Sequence, residues 1–188
     1  QYQPKSATCV VLDAGNGAIL AMACTPQFDP NLPAKAPPDS RRNRVVCDMY
    51  EPGSTFKTFA ATMALEKRLW RRNEMINCEN GAWRLGYRTL HDAHAYGMLS
   101  FDDGIIKSSN IAAAKIGSRL GPGLLYDTVR IFGFGERTGV NLPGEEDGKV
   151  RARKLWTNDS VYSVSMGHEI AVTPLQLITA YAAVVNGG

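Results

Sequence analysis

EPGSTFKTFAATMALEKRL, residues 51–69, is the stretch on which the reading of this chain turns. Pro52 and Gly53 punctuate the chain, and after them Phe56, Phe59, Ala60, Met63 and Ala64 recur at helical spacing. The run from Ser54 to about Leu69 therefore predicts a helix with one apolar face, and Ser54 stands where an N-terminal cap belongs. Lys57 lies three residues further on, about one turn away on the same face. A serine hydroxyl is a weak nucleophile until a neighbouring base takes its proton, and a lysine becomes such a base when burial lowers its pKa. Phe56 and Phe59 predict apolar surroundings for Lys57, and the positive end of the helix dipole favours negative charge developing beside Ser54.

Ser-x-x-Lys alone is a weak signal: 10 serines and 8 lysines in 188 residues give about 0.4 matches by chance. Here the single match falls at the start of the strongest helix. A second polar cluster, Ser108-Ser109-Asn110, falls between two helical patterns, where side chains can project from a turn. It offers a second hydroxyl for proton relay and an amide for binding substrate. The plainer alternative is that Ser109 or Asn110 caps the helix that follows.

Outward from these motifs, residues 7–13 and 18–24 are apolar runs separated by Ala14-Gly15-Asn16-Gly17, which predicts a β-hairpin. Five prolines between Thr25 and Asp39 make that segment a loop. Further helices are expected at 101–107, 110–120 (closed by Gly121) and 122–132, and a last one is capped by Thr173 with Pro174 at its first position. The division is thus 1–46, hairpin and Pro-rich loop, and 47–188, mainly helical. Because a lone hairpin is marginal, either the helices cover it or further strands of its sheet follow Gly188.

Composition excludes several classes. The net charge of +3 is small, and the runs Arg41, Arg42, Arg44 and Lys67, Arg68, Arg71, Arg72 read as solvated faces rather than a nucleic-acid surface. No apolar stretch approaches the roughly 20 residues of a membrane-spanning helix. Gln1 is not an initiator methionine, so an anchor upstream is compatible with the sequence. Cys9, Cys24, Cys47 and Cys78 lack the spacing of a zinc site and read as mainly buried or free thiols; Cys9 and Cys24 fall near each other in the hairpin, so a disulfide between them is open though nothing indicates it. His91 and His94 with Asp92 do not read as metal ligands.

EPGSTFK (51–57), KSSNIAAAKIG (107–117) and VTPLQLITAYAAVVNGG (172–188) resemble the transpeptidase domain of class B penicillin-binding proteins. RNR (42–44), FGFGERTGVNLPGE (132–145) and SMG (165–167) extend the resemblance from the hairpin to Gly188, and Glu51 tilts it towards the cell-division or sporulation type. It implies an α/β fold of the penicillin-binding and serine β-lactamase kind, present here as a partial domain. It implies that Ser54 attacks the penultimate D-alanine carbonyl of a peptidoglycan stem peptide, with Lys57 as general base, Ser108 as proton relay and Asn110 as substrate ligand. β-Lactams would be trapped at the same serine, with no cofactor and no metal. The implied setting is the extracytoplasmic side of the bacterial membrane, beside membrane proteins of a division complex. The alternatives are a non-catalytic scaffold of that complex and a β-lactam-hydrolysing or β-lactam-sensing relative.

Two departures stand out. The family's third motif, Lys-Thr-Gly, is absent from the 188 residues, and Arg137-Thr138-Gly139, in an expected loop, is no substitute. His168-Glu169 follows SMG where the family tends to a small pair such as Gln-Gly, which leads us to expect a different local backbone. In the family the third-motif strand supplies an oxyanion-hole donor, and losing one costs on the order of 100-fold in rate. The isolated 188-residue chain is therefore expected to be nearly inactive. Labelling of Ser54 by a fluorescent penicillin at the rate of an intact domain would refute this.

Overall fold

The computed structural model describes residues 3–187. In chain order the main elements are β1 (Ala7–Leu12), β2 (Ile19–Thr25), α1 (Arg44–Cys47), α2 (Lys57–Glu66), β3 (Met75–Asn77), β4 (Ala82–Leu85), β5 (Arg88–His91), β6 (Met98–Ser100), α3 (Phe101–Ile106), α4 (Asn110–Ile131), α5 (Asn158–Ser165) and α6 (Pro174–Asn186). They gather into two compact units. One holds the described residues up to Tyr50, Gly133–Lys149 and the residues from Val172 onward; the other holds Glu51–Phe132 and Val150–Ala171.

The first unit is built on the predicted hairpin. β1 and β2 pair antiparallel, and the turn closes where Gly17 N–H donates to Asp13 O at 2.8 Å. Cys24 stands opposite Thr8 and Cys9 opposite Ala23, so the two cysteine side chains point to opposite faces, and all four cysteines are free. Val45 and Val46 of α1 and Leu175 of α6 form the buried core here, packed by Val10 and Met22 of the hairpin. The helices thus cover one side of the two strands, while Val11, Ile19 and Leu20 remain exposed. Thr173 and Gln176 form a reciprocal capping box at the start of α6, with Pro174 in the first turn as expected. Arg44, read from sequence as part of a solvated run, is instead buried and ion-paired with Asp39 and Asp48. Arg137-Thr138-Gly139 lies in a loop, with Thr138 N–H and hydroxyl donating to Glu145 at 2.7 and 2.5 Å.

In the second unit α4 packs against α2 and α5. Phe59 of α2 is fully buried, its ring centroid 5.5 Å from that of Phe56 and 4.8 Å from that of Phe132. α4 breaks at Gly121, whose φ of 72° and ψ of 171° leave the helical region just before Pro122, so the expected pair of helices is present around a kink. Among the elements that sequence reading missed are two small antiparallel pairs, β3 with β6 and β4 with β5, and the helices α1 and α5. These strands are three or four residues long, too short to show alternation, and α5 (NDSVYSVS) has too few apolar residues to show a period. Among the described residues no helix is long and apolar enough to cross a membrane.

One contact fixes the entry to α2. Gly53 N–H donates to Gly167 O at 3.0 Å, and Gly167 has a φ of +82°. A Cβ at residue 167 would lie 2.7 Å from Gly53 N and 2.8 Å from Gly53 C, where none fits. Gly167→Ala is expected to destabilise this unit by about 1–3 kcal/mol through backbone strain and overpacking. Urea unfolding measures it, and an unchanged midpoint would contradict this account of the contact.

Candidate active site

The segment before α2 is not the α-helical N-terminus that the sequence predicts. Gly53–Phe56 form a 3-10 turn, closed by Lys57 N–H donating to Ser54 O, and Ser54 lies inside it without acting as a side-chain cap. With three residues per turn, side chains at i and i+3 eclipse, so the 3-10 geometry aligns Ser54 and Lys57 more closely than an α-helix would. Ser54 is exposed, whereas Lys57 is only 2% exposed.

The buried Lys57 amine donates to Ser108 O at 2.6 Å, Ser108 Oγ at 3.1 Å and Asn110 Oδ1 at 2.7 Å. Three acceptors match the three hydrogens of an ammonium. All of them come from the Ser-x-Asn cluster, 51 and 53 residues along the chain. The structure therefore brings Ser108 and Asn110 onto Lys57, and Lys57 follows Ser54 by one turn.

Local chain chemistry explains the cluster. α3 ends in a Schellman turn, in which Ser109 N–H donates to Gly104 O and Ser108 N–H to Ile105 O, both at 2.9 Å. The left-handed residue of that turn, usually glycine, is Ser108, with a φ of 54°. Such a conformation costs a non-glycine residue about 1–3 kcal/mol and persists only where neighbours enforce it. The next residue, Ser109, is buried and caps α4, its hydroxyl accepting from Ala112 N–H at 2.9 Å. The capping alternative is thus correct for Ser109, while Ser108 and Asn110 are free to face Lys57. Asn110 Nδ2 donates to His91 O at 2.8 Å, which turns Oδ1 towards the amine. Nδ2 carries two hydrogens, one of which makes this bond.

Sequence reading missed the support around this turn. Asp92, weighed only as a metal ligand, accepts from Asn110 N–H at 2.5 Å and Ile111 N–H at 3.0 Å on Oδ1, and from the Ser109 hydroxyl at 2.7 Å on Oδ2. Nothing in the spacing of residues 92 and 109–111 signals that contact. Behind Ser54, Glu51 accepts from His168 Nδ1–H at 2.9 Å and from Glu169 N–H at 2.8 Å. These bonds, that from His168 foremost, hold the Glu51 carboxyl below its ordinary value. Glu169 adopts a φ of 63°, in the left-handed region that favours glycine. Its amide is held by Glu51, and its carboxylate by Ser160 Oγ at 2.9 Å and by Arg151.

Burial pushes the Lys57 ammonium down to about 8, and the negative charge of Asp92 opposes that fall. At pH 7 about one Lys57 in ten would then be neutral, against roughly one in several thousand at the ordinary value.

A family described as the penicillin binding protein transpeptidase domain matches residues 7–188, and the chain belongs to it. Among its relatives, "Probable peptidoglycan D,D-transpeptidase PenA" of Neisseria gonorrhoeae is 37% identical over 187 residues, covering 100% of this chain and 32% of that protein. "Peptidoglycan D,D-transpeptidase FtsI" of Escherichia coli K12 is 32% identical over 184 residues, covering 98% of this chain and 31% of that protein. The chain thus spans about a third of the length of these curated relatives. The solved transpeptidase domain of Burkholderia pseudomallei penicillin-binding protein 3 has a TM-score of 0.88 at 29% identity, covering 98% of this chain and 51% of that one. The α/β penicillin-binding fold implied by the sequence is the fold of that structure.

Proposed function

We propose that this chain carries the Ser54–Lys57 part of a peptidoglycan D,D-transpeptidase active site and that the protein containing it cross-links stem peptides through a serine acyl-enzyme. The observation that carries this reading is the buried Lys57 amine, bonded to Ser108 Oγ and Asn110 Oδ1 one 3-10 turn from an exposed Ser54. Relatives named as peptidoglycan D,D-transpeptidases support it.

Neutral Lys57 takes the Ser54 proton as Oγ attacks the penultimate D-alanine carbonyl. Ser54 N–H would donate to the resulting oxyanion, and the resemblance assigns the second donor to a Lys-Thr-Gly strand. Of the three Lys57 partners only Ser108 Oγ carries a hydrogen of its own, since the other two are carbonyl oxygens. Ser108 can therefore reverse its bond, passing its proton to the departing D-alanine amine and recovering one from Lys57. The C–N bond breaks, terminal D-alanine leaves, and an ester on Ser54 remains. A neighbouring stem amine then attacks that ester, forms the cross-link and frees Ser54. A β-lactam would acylate the same oxygen but, with its leaving amine tethered, would be released slowly. We further assign the protein to class B, and Glu51 and the relative FtsI favour a division role, with a membrane anchor, an extracytoplasmic catalytic domain and division-complex partners.

In the full-length protein, fluorescent penicillin is expected to label in a one-to-one burst with slow release, and Ser54→Ala to abolish the labelling. Sustained turnover would indicate a β-lactam-hydrolysing relative, and absence of labelling a non-catalytic scaffold. Because the base must be neutral, the acylation rate is expected to rise with pH and level off above about 8, the value to which burial brings Lys57. Stopped-flow acylation across pH checks this, and a limb near the free-lysine value of about 10.4 would count against it.

A further inference from the structure

We propose that Asp92 is a positioning residue of the acylation step: its carboxylate clamps the start of α4 and thereby holds Ser108 Oγ and Asn110 Oδ1 on the Lys57 amine. The inference rests on the transpeptidase reading above.

Asp92 follows β5 directly and is itself fixed, its N–H donating to Gly81 O at 3.0 Å. Its two oxygens take three donors: Asn110 N–H, Ile111 N–H and the Ser109 hydroxyl. The first two belong to the orphan N–H groups of a helix N-terminus, which have no partner within the helix. The third is the capping hydroxyl of the same helix. The preceding carbonyl, of His91, accepts from the Asn110 side chain. Residues 91 and 92 therefore hold both the backbone and the side-chain orientation of Asn110. Ser108, one residue before the clamped segment, keeps a left-handed backbone that a serine adopts only when held there. Relaxing the clamp lets that residue leave the left-handed region, and its hydroxyl and carbonyl then leave Lys57.

Asp92 also acts through its charge, because it is the acidic side chain whose field raises the proton affinity of Lys57 against burial. Other titratable groups nearby are His91 and His94 on the Asp92 segment, Lys107 beside Ser108, the Cys78 thiol, 3.5 Å from Ser109 Oγ, and the Lys115–Glu79 ion pair at 2.6 Å. Cys78 is buried and its pKa raised, so it stays neutral, and the charges of Lys115 and Glu79 offset each other. Loss of the Asp92 charge is therefore not replaced by a neighbour. Positioning and charge make separable contributions: the first changes how well Lys57 is aligned, the second changes the pH at which it becomes neutral.

The test is acylation of the full-length protein by fluorescent penicillin from about pH 6 to 10, a range that brackets the Lys57 transition, alongside urea unfolding. Asp92→Ala, which loses clamp and charge, is expected to acylate at least about 10-fold more slowly on the high-pH plateau, measured on the folded fraction, with its limb also displaced to the acid side. Asp92→Asn keeps one acceptor oxygen for the helix but no charge. It is expected to acylate a few-fold more slowly on the high-pH plateau, with its pH limb displaced to the acid side, since a lysine without the carboxylate gives up its proton more readily. Should Asp92→Ala fail to fold, Asp92→Asn alone decides. A fall in rate that tracks lost stability, with the limb unmoved, would mean a merely structural residue and would overturn the proposal. So would wild-type rates and limbs in both variants. A wild-type protein that is not acylated at Ser54 would instead sink the transpeptidase reading, and this inference with it.

Discussion

The second unit depends on how a buried lysine is satisfied. Lys57 is almost wholly withdrawn from water, and an unpartnered ammonium there would carry a desolvation penalty of several kcal/mol. Three oxygen acceptors from the 108–110 turn meet that cost, and the lysine they hold follows an exposed serine by one turn of chain. The balance leaves Lys57 poised: bonded well enough to be held in place, yet buried enough that its proton is loosely kept. A surface lysine would be held by nothing and charged at every physiological pH.

That requirement propagates outward. Two carbonyl oxygens and one hydroxyl can converge on a single amine only if the chain turns sharply between α3 and α4. Joining a Schellman turn directly to an N-cap provides such a turn, at the cost of a left-handed serine. The cap and the clamp from residues 91 and 92 then hold a conformation that Ser108 would not choose alone. On the other side of Ser54, Gly53 lies against Gly167 backbone to backbone, and Glu51 ties the following two residues, His168 and Glu169. The short strands β3 to β6 matter chiefly as the frame from which Asp92 reaches α4.

Much of this was legible beforehand. The spacing of Phe56, Phe59 and Met63 declared the helix α2, although it is buried nearly all round rather than on one face; Asn16-Gly17 declared the hairpin, Thr173-Pro174 the start of α6, and Gly121-Pro122 the break in α4. Each is a local rule, satisfied within a few residues. Where sequence reading failed, the cause lay elsewhere in the chain. Arg44, read as part of a solvated run, is buried because Asp39 and Asp48 neutralise it.

The sequence by itself determined the candidate nucleophile and base, because Ser54 and Lys57 are three residues apart and their alignment follows from the period of one turn. It also determined that Ser108 and Asn110 sit at a joint between helices. Only the tertiary structure decided that this joint would lie against Lys57, that Ser109 would cap while Ser108 faced the amine, and that Asp92 would hold the joint. The physical reason is range. Helical phase and capping act over three or four residues, whereas the contacts that place the lysine's partners cross 17 to 53 residues and exist only once the second unit has packed.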